Sequence, residues 1–429
     1  MFAPSQDSGY PSAMTDTPDN WSVASPAGFP PTREAAAARL AAVNVADYAR
    51  RRNYLDGPVT RLSPYFSHGL IELPEALLRL RTRGPLPLQH KLVFEFGWRE
   101  YFQHVWRHLG DGILEDVRAP LPGVVYAGAL PADIVAARTG VPVIDASVRE
   151  MYETGYVHNH ARMWLASYIV HVRKIHWRTG ADWMYGHLLD GDLASNHLSW
   201  QWVAGTFSAK PYLFNAANVA EYAPALASPG TAVDCSYEQL EALARGTGSA
   251  GAEPAAPKKG VTMPKLFATP PAKLKVKLLD SLQSLGDIRA QRATLVHPWW
   301  LQARPDSSLV IGVLHAPFHT RFPWSAARWA FVMARMRAVT DVIWYGDLTQ
   351  LPDTLLDAGA VSVASRRTYN PGYAAALDNA DVTLAEVPRF LDDPDVLCGS
   401  FTRFWNQVLP PPVESPRDKE RVLARKLRT

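Results

Sequence analysis

Cysteine is almost missing from this chain, with only Cys235 and Cys398 among 429 residues. Two such residues build no disulfide framework, and no CxxC or Cys/His spacing offers a zinc site, so no metal is expected. A reducing, cytoplasmic setting is the default expectation. Long apolar runs are lacking too, and none approaches the roughly 18 residues that a membrane helix needs. The opening MFAPSQDSGYPSAMTDTPDN has neither a charged leader nor an apolar core, so it reads as a disordered lead-in rather than a secretion signal. Strong charge of either sign is absent as well. A net charge of +3 argues neither for nor against nucleic acid, and any such surface must be a local patch. A GxSxG elbow and a GxxxxGK[ST] loop are both missing, which removes the usual signatures of a serine hydrolase and a P-loop enzyme.

What is present is helix, followed by a change of texture. REAAAARLAAVNVADYARRR, LPEALLRLRTR, LQHKLVFEFGWREYFQHVWRHL, VIDASVREMYE and HNHARMWLASYIVHVRKIHW place apolar residues at i, i+3, i+4 spacing. Ser208–Gly230 reads as irregular. RGTGSAGAEPAAPKKG is small, polar and rich in Pro and Gly, as interdomain linkers are. Beyond Pro305, SLVIGVLHA, DVIWYGD, AVSVAS and DVTLAEV are short β-branched runs, with the helical SAARWAFVMARMRAV between the first two. The expected organisation is a lead-in over 1–30, a helical catalytic domain over 31–240, and a linker with a connecting helix over 241–305. A small α/β domain over 306–412 and a charged tail over 413–429 complete it. The expected fold class is mainly α, with a helical domain preceding a small Rossmann-like α/β domain.

Chemistry is concentrated in HLLDGDLASNHLSWQW, His187–Trp202. Asp190, Asp192 and Asn196 stand in a stretch that otherwise reads as buried, and buried polar groups need partners. In YVHNHARM, Asn159, Arg162 and Met163 share one helical face, as do Glu95, Trp98 and Arg99 in EFGWRE. A buried arginine calls for an anion, and Asp190 or Asp192 supplies one; a purely architectural ion pair is the plainer reading of any single pair. Two such faces beside a carboxylate turn favour a lined pocket. His158 and His160, at i and i+2, point apart and make no metal pair. Thr60 and Ser63 in DGPVTRLSPYFSHG either cap a helix or hold phosphate oxygens. The 14 tryptophans are mostly core material, yet numerous enough to invite a stacking or redox role.

TGVPVIDASVREMYETGYVHNHARMWLAS and DGDLASNHLSWQW, with TRLSPYFSHG and FGWREYF upstream, together resemble the flavin domain of the DNA photolyase/cryptochrome family. The likeness runs from about Tyr48 to Tyr222. It implies an all-helical domain holding a folded-back FAD, active in its reduced form. On this resemblance Tyr48, Thr60, Leu62 and Ser63 would hold the FAD phosphates and ribityl region, and Arg99 would join the cofactor shell. Arg162 would pair with Asp190 beside the flavin, Asp192 would lie near the isoalloxazine, and Asn196 would face flavin N5. Trp200 and Trp177 match the first two members of an electron-transfer chain. A third tryptophan is missing from Leu114–Pro131, so Tyr126 or a ring from elsewhere substitutes, or the chain is shorter. Glu95, Trp98, Asn159, Met163 and Trp202 match contacts to a flipped-out cyclobutane pyrimidine dimer, and Arg52 matches a phosphate-contacting arginine. Lys210 and Arg178 would extend that basic patch, whereas His160 replaces a common arginine.

The resemblance therefore implies a carbon–carbon lyase that repairs pyrimidine dimers in DNA by light-driven electron transfer from reduced FAD. The alternative it leaves is a cryptochrome-type photoreceptor without repair. A monomer is expected. Domain order departs from the family, whose α/β antenna domain normally comes first; here SRRTYNPGYAAALDNADVTLAEVP and GSFTRFWNQVLPPP resemble the end of such a domain. Whether it holds a second antenna chromophore stays open.

Overall fold

The computed structural model describes residues 28–248, 259–279, 281, 285–378 and 381–409. Most of the expected lead-in, the middle of the linker and the charged tail lie outside the described residues.

The first half is a helical unit. The long periodic run near its start is two helices, Arg33–Ala42 and Val45–Arg51, because Val43 turns extended and the Asn44 side chain accepts from Asp47 N to cap the second. Leu73–Arg81, Lys91–Leu109 and Pro142–Thr154 follow as the spacing predicts. The run expected as one helix from His158 to Trp177 is instead broken. Asn159–Ser167 widens into a π-turn at Tyr168–Val172, and Lys174 reverses the chain at φ +53°. That lysine donates to Leu243 O and Ala244 O (2.8 Å), at the carbonyl end of the helix Tyr237–Ala244. A new helix, Trp177–His187, then leads through a tight turn into Leu193–Ala204. Ser208–Gly230 is less irregular than expected, since Asn215 caps a helix over Ala216–Tyr222.

The second half is an α/β unit with a two-stranded ladder, β1 (Leu266–Phe267) against β4 (Trp324–Ser325). Its main sheet contains β2 (Arg292–Val296), β3 (Leu309–His315), β5 (Val342–Gly346), β6 (Ser362–Arg366) and β7 (Val382–Ala385). All neighbours are parallel, in the order β5-β3-β2-β6-β7. This order reverses direction at β2, the doubly wound arrangement in which a crevice opens at the carboxyl ends of the two strands flanking the switch. The four strands expected by sequence are present. The expected boundary at 306 is not where the sheet begins, because β2 lies inside the stretch expected as linker and is the middle strand. Among the described residues of 241–305, no α-helix follows the one ending at Ala244. A mainly α description thus covers only the first unit.

The two units share one core. A continuous buried cluster includes Leu62, Tyr65, Leu92 and Val105 of the helical unit with Val310, Phe331, Tyr373 and Phe404 of the α/β unit. The helix Phe401–Val408 lies on Lys91–Leu109, where Gly97 leaves no room for a Cβ beneath the Trp405 ring. Ion pairs Glu72–Arg366 and Glu100–Arg389 cross the same seam.

Candidate functional site

The turn Leu188–Asp192, between the helices Trp177–His187 and Leu193–Ala204, is gripped from every side. Three successive carbonyls are taken: Leu189 O faces His68 Nε2 (2.9 Å), Asp190 O accepts from Ser67 Oγ (2.9 Å), and Gly191 O accepts from Arg328 Nη2 (2.5 Å). Leu189 N donates to Gly155 O (2.8 Å). Asp190 Oδ2 accepts from Arg162 Nη2 (2.7 Å) and Ser63 Oγ (2.5 Å). Burial alone would raise the Asp190 pKa, but Arg162, by charge and hydrogen bond, and Ser63 outweigh it and hold the carboxyl below its ordinary range. Its other oxygen, Oδ1, is buried with no partner among the described residues. So is the Ser195 hydroxyl one turn further on. Unpaired buried polar atoms on a turn this heavily bonded call for an explanation.

Asp192 has a structural role in the turn. Its Oδ1 caps the helix Leu193–Ala204 by accepting from Ser195 N (2.8 Å), and Gln103 Nε2 reaches both its oxygens at 3.1 Å. Asn196 is buried, and its Nδ2 donates to Ala181 O (2.8 Å), which fixes the orientation of the amide. Arg99 donates to Ser67 Oγ (3.1 Å). Tyr48 and Thr60 line a small cavity of about 140 Å³ with Arg39 and Asn44, while Leu62 is fully buried beneath. A cavity of about 730 Å³ opens between the units. In it Ser67, Arg99, Gln103 and Asp192 face His297, Trp299 and Arg366, at the carboxyl ends of β2 and β6.

Glu95, Trp98, Met163 and Trp202 are half-buried and Asn159 is exposed, on three helices of which Leu193–Ala204 packs against both of the others. Asn159 Nδ2 reaches Met163 Sδ (3.9 Å), the i, i+4 pair expected from spacing. Trp98 is stacked on Phe401, with centroids 4.2 Å apart and planes at 10°. Burial raises the Glu95 pKa against the pull of Arg52, which pairs with it at 3.4 Å. Arg52 is therefore partly engaged by Glu95. Lys210 is exposed. Arg178 is committed to Asp182 (2.8 Å) and Leu114 O (2.5 Å), which removes it from the basic patch. His160 is buried, with Nδ1 against Asn53 O (2.7 Å) and its ring over Trp164, so it packs rather than grips.

Trp200 and Trp177 are both buried on adjoining helices; Gly180 admits the Trp200 ring where any Cβ would collide. Trp177 Nε1 donates to Asp116 Oδ1 (2.6 Å). Next to Trp177 lies His176 (5.7 Å between centroids), and next to that Tyr126 (6.3 Å). Ser67, His68, Gln103, Asp116, Arg328 and Phe401 were not singled out by sequence. Ser67 at i+4 from Ser63 was the one discoverable signal; the others act across long separations.

A helical bundle closed around an acidic turn, with unpaired buried polar atoms on Asp190 and Ser195, is the frame of the candidate site. Residues 92–232 match the family model described as the FAD binding domain of DNA photolyase. Over these residues the chain is similar to the FAD-binding domain of the DNA photolyases, and FAD is the cofactor of such a domain. It is 34% identical over 212 residues to the deoxyribodipyrimidine photo-lyase of Synechococcus sp., covering 45% of this chain and 44% of that one. With the deoxyribodipyrimidine photo-lyase of Streptomyces griseus it shares 35% over 163 residues, 38% and 36% of the two chains. The chain thus spans less than half the length of these relatives. Among solved structures, the Synechocystis sp. cryptochrome aligns over 45% of this chain and 43% of its own, at 25% identity and a TM-score of 0.41.

Proposed function

We propose that this protein is a light-driven lyase that splits cyclobutane pyrimidine dimers in DNA. The observation that carries the proposal is the pairing of two features on one bundle. Inside is an acidic turn with a free carboxylate oxygen at Asp190, and on the adjoining surface is a half-exposed set of Glu95, Trp98, Asn159, Met163 and Trp202.

The residues present suit the cofactor, since a flavin rim and ribityl chain carry donors that satisfy Asp190 Oδ1 and Ser195 Oγ. Tyr48, Thr60, Leu62, Ser63, Arg99, Arg162, Asp190, Asp192 and Asn196 would hold it. FAD, when bound, supplies the light-driven electron that opens the dimer and accepts it back. The chain's own contribution is placement and environment. Arg162 and Ser63 keep Asp190 ionised, so that its free oxygen is a pure acceptor. Ala181 O holds the Asn196 amide in one orientation. Trp98 and Trp202 offer aromatic faces to a damaged step, which costs less to extrude than an intact one. Glu95, whose pKa is raised by burial, would present a carboxyl group to a base edge. Trp200 and Trp177 would carry electrons from the surface, with Asp116 able to accept the Trp177 indole proton. Arg52 and Lys210 would meet phosphates, giving a salt-dependent affinity.

A duplex bearing a thymine dimer, incubated with the purified protein in reducing buffer, should lose the dimer under near-ultraviolet or blue light and keep it in the dark. Light exposure that bleaches or changes the flavin while every dimer survives would leave the photoreceptor reading in its place.

A further inference from the structure

Arg328 belongs to the α/β unit, in the helix Ala326–Val339, and is fully buried. Among the described residues, no carboxylate pairs with its guanidinium. Nη1 donates to Tyr185 O (3.1 Å) and Nη2 to Gly191 O (2.5 Å), while the cation lies over the rings of Trp324 (4.0 Å) and Tyr185 (4.6 Å). Nε has no partner. Burial pulls the Arg328 pKa down, and Tyr185, Asp190 and Asp192 oppose that pull. Such an arginine is expensive to bury, and a hydrophobic residue would fill the same space more cheaply. Its two bonds end on the last turn of one helix and on the residue between Asp190 and Asp192. Gly191 fits this from the other side, because a Cβ there would run into the guanidinium and Tyr185 O.

We infer that Arg328 is a positioning residue for FAD, acting through the Asp190-Gly191-Asp192 turn, so that the α/β unit sets how tightly the helical unit holds its cofactor. The inference rests on the assignment of FAD to that turn. A guanidinium with two donors in a fixed fork specifies the spacing of two carbonyls, and a lysine ammonium does not. Removing one restraint from a ligand-bearing turn loosens every ligand it carries.

The test uses the full chain, loaded with FAD, and follows FAD release by recovery of flavin fluorescence together with the fine structure of the flavin absorption band. Arg328→Met should raise the release rate by roughly tenfold or more and blur the band, and Arg328→Lys should fall between it and the wild type. Gly191→Ala, which displaces the same contact from the turn, should reproduce the effect, and the double variant should be no worse than the more severe single one. Arg328→Met that melts at lower temperature yet releases FAD at the wild-type rate would show a merely structural residue and overturn the inference. Effects of Arg328→Met and Gly191→Ala that simply multiply would overturn it too. If Arg328→Met fails to fold, Arg328→Lys and Gly191→Ala still decide. A wild-type chain that takes up no FAD would remove the cofactor assignment, and this inference with it.

Discussion

At Asp190 a carboxylate, a guanidinium and a hydroxyl meet on one oxygen while the second oxygen waits. Removing the carboxylate leaves Arg162 without its anion, and breaking a buried pair in this way costs about 3–5 kcal/mol. Asp190→Ala should therefore lower the melting temperature and abolish flavin retention, both read on one purified sample by a thermal melt and an absorption spectrum. The same group predicts a pH dependence. Its folded pKa is depressed, so its stabilisation is fully present above the unfolded carboxyl value of about 3.9 and is lost as pH falls through the lower folded value. From this group, flavin retention should hold level from pH 8 down to 5 and fall only in stronger acid. Loss beginning near pH 6 would point to a histidine instead. On the outer wall, Asn159→Ala or Trp202→Ala should weaken binding of dimer-containing DNA, by about 1–3 kcal/mol for the aromatic ring. Flavin absorbance should not change, a combination checked by titration and spectrum together.

Helix against helix, the site depends on close approaches that glycine permits. Gly180 lets the helix Trp177–His187 lie flat on the Trp200 ring, and Gly97 does the same for Trp405 on Lys91–Leu109. Gly180→Ala should cost about 1–3 kcal/mol by overpacking and should shift the Trp200 ring. Slower photoreduction of the flavin, out of proportion to the loss of stability, is the outcome that ties Trp200 to electron transfer. Periodicity foretold most of these helices, because burying one face every 3.6 residues leaves a mark in the sequence. It did not foretell the break at Lys174 or the cap at Asn44, where local hydrogen bonds override a continuous apolar stripe. The middle strand β2 was missed for a related reason. RATLV is too short to stand out, and it is a strand because two parallel neighbours pair with it.

In the whole molecule the two units behave as one hydrophobic body fastened by charged groups. Glu100 is nearly inaccessible, and Arg389 supplies its countercharge from the α/β unit at 3.0 Å. Arg389→Ala should strand that carboxylate at a cost of about 3–5 kcal/mol and lower a single shared melting transition. Two separate transitions by calorimetry would show that the units fold independently. Phe401 also acts at this scale, since a residue from the last described helix stacks on the half-buried Trp98 ring.

Sequence alone determined the helical class of the first unit, the strands of the second, the polar turn and the side chains expected around a flavin. The first three follow from local spacing or from residue types that burial makes costly, and the last only from the family resemblance of the motifs. Only the tertiary structure decided which oxygen of Asp190 stays free, that Asp192 is also a cap, that Arg178 and His160 are occupied elsewhere, and that Arg328 and Phe401 come from the far unit to back the site. Those facts depend on contacts between residues far apart in the chain, where packing and competition for hydrogen-bond partners choose among arrangements that local pattern leaves equal.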